Sequence, residues 1–139
     1  MTEGRKPSGQ RSSESLSYSH RLHQRSDFLR FFEGSTVARL KDCIIFRVPN
    51  SAGHFRLGLT FKIRCQSVER NALRRRIREA FRRLGPGLGS YDYNVVIRSW
   101  NPPMKAFARG LYGSILDELR SERFSPAKEK SKFGPGSGK

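Results

Sequence analysis

The sequence is poor in features that would mark a secreted scaffold, a membrane protein or a self-sufficient enzyme. Only two cysteines, Cys43 and Cys65, occur in 139 residues. They have no Cys-x-x-Cys or clustered Cys/His spacing, so no zinc site and no disulfide framework is expected. Both lie in or beside strand-like runs and read as reduced, packed thiols, because cysteine behaves as a small apolar residue. No stretch approaches the roughly 20 apolar residues that span a bilayer, which argues against a membrane partner. The segment from Met1 to His20 lacks the apolar centre of a signal peptide, so a cytoplasmic location is expected. Acidic residues are scarce, 12 Asp and Glu against 28 Lys and Arg. The histidines His20, His23 and His54 fall in separate segments and, with Asp27 or Glu33, form no acid–base or metal-ligand motif. No catalytic or metal-binding residue is therefore assigned, and an autonomous nuclease is disfavoured.

What the chain has in excess is positive charge. A formal charge of +16 would repel itself without a polyanion partner, and nucleic acid is the first choice. Arginine outnumbers lysine 20 to 8. Charge alone would not need that bias, whereas guanidinium both forks onto phosphate and stacks on exposed bases. The length suits one domain. Residues 1–17 and 125–139 are rich in Gly, Ser, Pro and charge with little to bury, so both ends are expected to be disordered basic tails around a folded segment, 18–124.

Within that segment, Ser26 is a candidate cap for a short helix carrying Phe28, Leu29, Phe31 and Phe32, with Gly34 at its end. Residues 42–48 form a β-branched and aromatic run. Turn residues Pro49, Asn50 and Gly53 precede a second run from His54 to Phe61, and the pair reads as a hairpin. In the second run Phe55, Leu57, Leu59 and Phe61 alternate with less apolar residues, which puts the odd-numbered positions on the core face. From Ser67 to Leu84 the period changes to three and four through Leu73, Ile77, Ala80, Phe81 and Leu84, and Gly85-Pro86-Gly87 closes a long helix. A strand at 91–98 follows, with Tyr93, Val95 and Ile97 on one side. The last helix carries Met104, Ala108, Leu111, Ile115 and Leu119. With a short strand near 36–38, the expected class is α+β: one small domain with helices on a three- to four-stranded sheet.

The long helix also carries Arg70, Arg74, Arg75, Arg76, Arg78, Arg82 and Arg83. Arg70, Arg74, Arg78 and Arg82 recur every four residues and form a slowly drifting ridge beside the apolar stripe. Stacked like charges destabilise a bare helix by a few tenths of a kcal/mol per pair. A phosphate backbone would relieve them, which favours nucleic-acid contact over a merely solvated face.

The run Arg70-Asn71-Ala72-Leu73-Arg74-Arg75-Arg76-Ile77-Arg78-Glu79-Ala80-Phe81, preceded by Phe55-Arg56-Leu57-Gly58-Leu59-Thr60, resembles the signature of the bacterial ribonuclease P protein family, and the likeness extends from about Ser19 to Arg120. Two departures stand out. Ala72 replaces the second arginine of an Arg-Asn-Arg motif, which moves that contact to Arg75 or Arg76 or removes it. The loop 62–69 is one or two positions shorter than usual, and its paired lysines are reduced to Lys62 with Arg64 nearby.

The resemblance implies a protein without catalytic residues that binds a catalytic RNA and the 5′ leader of precursor tRNA. The RNA subunit, with magnesium, would perform the hydrolysis, and the protein would broaden substrate recognition. Arg70, Asn71, Arg74, Arg75 and Arg78 would face the catalytic RNA or the nearby leader, with the Asn71 amide able to serve hydrated metal or phosphate. Phe28, Phe32 and Phe46 would line a leader-binding cleft, although Phe28 and Phe32, four apart, could equally pack into the core. The family also implies a left-handed strand–helix–strand crossover, which general handedness, right in about 98% of cases, would not suggest. A general structured-RNA-binding or ribosomal-type protein is the alternative.

Overall fold

The computed structural model describes residues 16–32 and 34–126; Glu33 and the rest of both expected tails lie outside the described residues. A 3-10 turn, Tyr18–His20, leads to α1, Arg25–Leu29, which continues as a 3-10 turn over Arg30–Phe32. Strands β1, Thr36–Arg39, β2, Cys43–Pro49, and β3, Arg56–Phe61, precede the long helix α2, Ser67–Leu84. Then come β4, Tyr91–Ile97, helix α3, Met104–Ser121, and a two-residue strand β5, Ser125–Pro126. The fold is α+β: helices on a mixed five-stranded sheet of order β3-β4-β2-β1-β5.

The expected hairpin does not form. β4 lies between its two runs, antiparallel to β2, with Cys43 opposite Ile97, and parallel to β3, with Phe61 opposite Ile97. β4 is buried on both faces, through Tyr93, Val95 and Ile97 on one side and Asp92 and Val96 on the other. It therefore takes an interior place in the sheet, between β2 and the edge strand β3. The turn residues after β2 bond to the start of β4: Asn50 N–H donates to the Ser90 carbonyl at 3.0 Å, and Gly53 N–H to Ser90 Oγ at 3.1 Å. The sheet also has one strand more than expected, because Ser125–Pro126 pairs with Val37 and Thr36. Arg47 sits between Tyr91 and Phe124, its guanidinium carbon 4.4 and 4.1 Å from the ring centroids, and this holds the segment leading to β5. At the other end Leu16 packs in the main core, and its carbonyl accepts Arg21 Nε and Nη2 at 3.1 and 2.7 Å.

Helix α2 forms where its apolar period predicts. Gln66 and Glu69 make a reciprocal capping box, with Gln66 N–H donating to Glu69 Oε1 at 2.9 Å. Gly85, at φ +47°, ends the helix in a conformation that side chains disfavour. Leu73, Ile77, Ala80 and Phe81 are fully buried against the odd-numbered face of β3 and β4, and the expected stripe of α3 joins the same core. Each large apolar side chain contributes about 1.5–3 kcal/mol. Cys43 lies in this core and burial pushes its thiol up to about 12, as suits an inert packed residue; Cys65 is half-buried, and both are free.

The other sheet face carries α1 and a smaller cluster of Leu22, Phe31 and Val48, with Phe28 and Phe46 against it. The cap of α1 is Gln24 rather than Ser26, because Asp27 reaches back to the Gln24 N–H at 3.3 Å to complete a capping box. Two contacts set the depth of α1. Gly58 lets the Phe28 ring lie directly on β3, where an added Cβ would stand 2.5 Å from Phe28 Cε1 and 3.0 Å from Leu22 Cδ1. Arg30 donates Nη1 to Asp92 Oδ2 at 2.6 Å and Nη2 to the Pro49 carbonyl. Asp92 is completely buried and also accepts Arg56 Nε and Nη2, both at 2.8 Å, and Asn50 Nδ2 at 2.7 Å. Burial alone would push its carboxyl up. The hydrogen bonds from Arg56 and Asn50 and the charges of Arg56 and Arg30 outweigh that and hold it below the usual carboxylate value.

Two predictions follow from this packing. Asp92→Ala lowers unfolding free energy by about 3–5 kcal/mol in urea titrations, because Arg56 and Arg30 lose a buried partner. A depressed folded pKa stabilises above the unfolded value, near pH 4, and that stability is lost as pH falls through the folded value. The variant should therefore show a flatter acid limb than wild type. Gly58→Ala costs about 1–3 kcal/mol by overpacking and moves the Phe28 ring resonances, while those of Phe81 and Tyr93 in the main core stay in place.

Candidate nucleic-acid interface

Helix α2 lies over the odd-numbered face of the sheet, so its arginines occupy the flanks and outer side of a helix whose inner side is fixed. Arg70 and Arg74 extend toward Phe61 at the end of β3, with guanidinium carbons 5.7 and 5.3 Å from its ring centroid. Arg70 donates Nη2 to the Cys65 carbonyl at 3.4 Å, while its Nε is buried with no partner among the described residues. Arg74 donates Nη1 to Asn71 Oδ1 at 2.8 Å, which fixes the Asn71 amide and leaves its nitrogen as the outward donor. Arg78 is half-buried. Burial first, then repulsion from Arg21 and Arg74, push its guanidinium below the ordinary value. Arg21 reaches this group because Leu22 N–H donates to the Leu57 carbonyl at 3.0 Å, aligning the chain along the outer edge of β3.

Arg70, Asn71, Arg74 and Arg78 thus form one cationic strip beside the edge of β3. Arg75 is not on it. It turns toward α3 and lines a separate groove with Ala72 and Arg76. The short loop after β3 is held by Lys62 N–H donating to the Ile97 carbonyl at 2.8 Å and by Trp100 Nε1 donating to the Arg64 carbonyl at 3.1 Å.

On the opposite face, Phe28, Phe32 and Phe46 come together in a cleft of about 450 Å³ between α1 and the sheet. Phe32 is 84% exposed, so the i,i+4 pair does not pack into the core as a unit. Phe28 rests on Gly58, and Phe46 is half-buried in β2. The floor includes Thr60, Asn94 and Val96, and Thr60 Oγ1 and Asn94 Oδ1 lie 3.2 Å apart. Lys62 and Arg98, both exposed, add two positive charges to the lining. Such an arrangement offers stacking platforms beside cations, which is what single-stranded nucleic acid uses. Sequence reading missed Arg21, Lys62, Thr60, Asn94 and Arg98 as neighbours of these sites. The last four can be placed only once the register of β3 on β4 is known.

Among the described residues no group of three or more His, Cys, Asp or Glu could hold a metal ion. Of the acid–base candidates, His20 and His54 come together, His20 packing on His54 and Phe55 at ring-centroid distances of 4.5 and 4.7 Å, while Asp27 lies 3.6 Å from Arg56. No helix of the described residues is long and apolar enough to cross a membrane.

Comparison with known proteins agrees with this geometry. A family model described as Ribonuclease P matches residues 16–111. The ribonuclease P protein component of Streptococcus mutans is 35% identical over 81 residues, covering 57% of this chain and 67% of that protein. That of Marinobacter nauticus is 40% identical over 83 residues, covering 58% of this chain and 62% of that protein. The solved structure of the Staphylococcus aureus RNase P protein superposes with a TM-score of 0.62 at 27% identity, covering 75% of this chain and 95% of that one. With the family model spanning strands β1 to β4, the arginine helix and the aromatic cleft, the chain belongs to the ribonuclease P protein family.

Proposed function

We propose that the chain is the protein subunit of ribonuclease P, binding the catalytic RNA and the 5′ leader of precursor tRNA and assisting magnesium-dependent endonucleolytic removal of that leader. The single observation that carries this reading is the convergence of Phe28, Phe32 and Phe46 on one cleft lined also by Lys62 and Arg98, in a domain whose other face carries the arginine helix. Leader bases would stack on the aromatic rings, at about 1–3 kcal/mol per base, while Lys62 and Arg98 neutralise phosphates. Arg70, Arg74 and Arg78, with the Asn71 amide nitrogen, would hold the catalytic RNA or the adjoining leader.

The hydrolytic chemistry belongs, in this reading, to the RNA. Magnesium would be held mainly by RNA phosphates, as the family resemblance implies, and no step is assigned to a side chain of this protein. What the chain contributes is charge neutralisation, leader positioning and a broader range of accepted precursors, acting in the cytoplasm. The rival, a general structured-RNA-binding protein, is disfavoured by the family match over residues 16–111.

At low magnesium and near-physiological salt, the protein should stimulate cleavage of precursor tRNA by a bacterial ribonuclease P RNA. Arg74→Ala combined with Arg78→Ala should reduce that stimulation roughly tenfold or more, since two charge-assisted contacts are lost. A folded wild-type protein that gives no stimulation where a known subunit does would sink the assignment, and equally tight binding to unrelated RNAs at matched salt would favour the rival. Phe32→Ala, at an exposed position, should leave thermal stability unchanged. It should weaken holoenzyme affinity for leader-bearing precursor roughly tenfold relative to leaderless tRNA.

A further inference from the structure

Helices α2 and α3 enclose a second groove, of about 500 Å³, that the strip and the cleft do not use. It is lined by Ala72, Arg75, Arg76, Glu79, Arg82, Lys105, Ala108 and Arg109. The α2 residues fall at intervals of three and four, so they share one helical face, and Lys105, Ala108 and Arg109 do the same on α3. Five of these side chains are cationic and one is acidic. That one, Glu79, is already engaged by Arg76 at 3.4 Å. Arg75, Arg82, Lys105 and Arg109 are all exposed, and none forms an ion pair with a described acidic residue. Lys105 and Arg109 stand four apart on α3, a like-charge pair that weakens an isolated helix. Two small residues, Ala72 and Ala108, leave space between the charged walls. A trough with four cations that no described acidic residue pairs, on two walls with alanines between them, is complementary to a chain of phosphates, and it offers no aromatic platform for bases.

We propose that this α2–α3 groove is a second RNA site, which grips the phosphate backbone of the catalytic RNA while the cleft on the opposite sheet face holds the leader. The proposal rests on the functional reading above and extends it to α3, where Lys105 and Arg109 supply cations across from Ala72. Because groove and cleft lie on opposite faces of the sheet, they engage different stretches of nucleic acid.

The test is a salt titration of binding to ribonuclease P RNA, comparing wild type, Lys105→Ala with Arg109→Ala, and Arg74→Ala with Arg78→Ala, each checked for folding by thermal melt. Both changes in the α3 variant are at exposed positions, so its melt should match wild type. Two lost phosphate contacts should flatten its plot of log Kobs against log salt by about 1.4–1.8 and lower affinity roughly tenfold or more at physiological salt. The ratio of precursor to leaderless tRNA affinity should not change. An α3 variant with wild-type affinity and slope overturns the groove proposal, even where the α2 variant loses binding and the functional reading survives. A changed precursor-to-leaderless ratio with unchanged RNA affinity also overturns it, by giving the groove to the substrate. Failure of the wild-type protein to prefer ribonuclease P RNA over unrelated RNA would instead count against the functional reading itself.

Discussion

The end of α1 is anchored on a single buried carboxylate. Asp92 lies in the interior strand β4 and has no exposure, yet it gathers Arg56 from the neighbouring strand, Asn50 from the turn after β2 and Arg30 from the end of α1. An isolated charge in that position would cost several kcal/mol, and it is retained only because four hydrogen bonds and two guanidinium groups surround it. The partners come from three otherwise separate segments, so satisfying the carboxylate also fixes their arrangement. Without Arg30 on Asp92, the short α1 would be held chiefly by Phe28 and Phe31, and a helix of one to two turns has little stability of its own. The helix that forms one wall of the aromatic cleft is therefore tied down by an ion-pair network outside the cleft.

A different problem arises on α2, where cations are crowded with few acids to balance them. The fold manages this by giving the charges different neighbours. Arg70 and Arg74 lie near the Phe61 ring, Arg76 has Glu79 and the Tyr112 ring, and Arg83 reaches the Tyr112 hydroxyl at 3.5 Å. Aliphatic stems cover the flanks of the helix while the guanidinium heads stay near water. Arg78 is the exception. It is half-buried and close to Arg21 and Arg74, a repulsion that a polyanion would relieve. Local repulsion of this kind is expected where the folded protein is one half of a complex.

Much of this was legible in the sequence, and the exceptions share a cause. The apolar period of α2, its ending at Gly85 and the odd-numbered core face of β3 are local signals, and local hydrogen bonding enforces them. The partner of a strand is not local. Pro49, Asn50 and Gly53 announce a turn, but the pairing that places β4 between β2 and β3 joins segments far apart in the chain. β5 has two residues, one of them a proline without an N–H to donate, and carries no strand signal. Asp92 was overlooked because an aspartate alternating with tyrosines reads as solvent-facing. Its partners are 36, 42 and 62 residues away, beyond any pattern of spacing. The aromatic trio was named through family resemblance, and composition could not have separated Phe32, which stays exposed, from Phe31, which is buried.

Strand alternation explains why one small domain can present two unlike surfaces. In β2, β3 and β4 the odd-numbered side chains enter the main core beneath α2 and α3, so the even-numbered ones must face α1 or solvent. Ile44, Phe46, Thr60, Asn94 and Val96 consequently share one face, and three apolar side chains among them would be a liability on an uncovered sheet. α1 is too short to cover them all, and the cleft is what it leaves open. Extending α1 by another turn would bury the patch and gain stability, but it would also close the aromatic surface. Keeping the helix short and anchoring it through Arg30 holds the cleft open, while the arginine helix, fixed to the other face by Leu73, Ile77 and Phe81, is unaffected. The two surfaces can therefore be altered separately, because their shared support is the sheet and not each other.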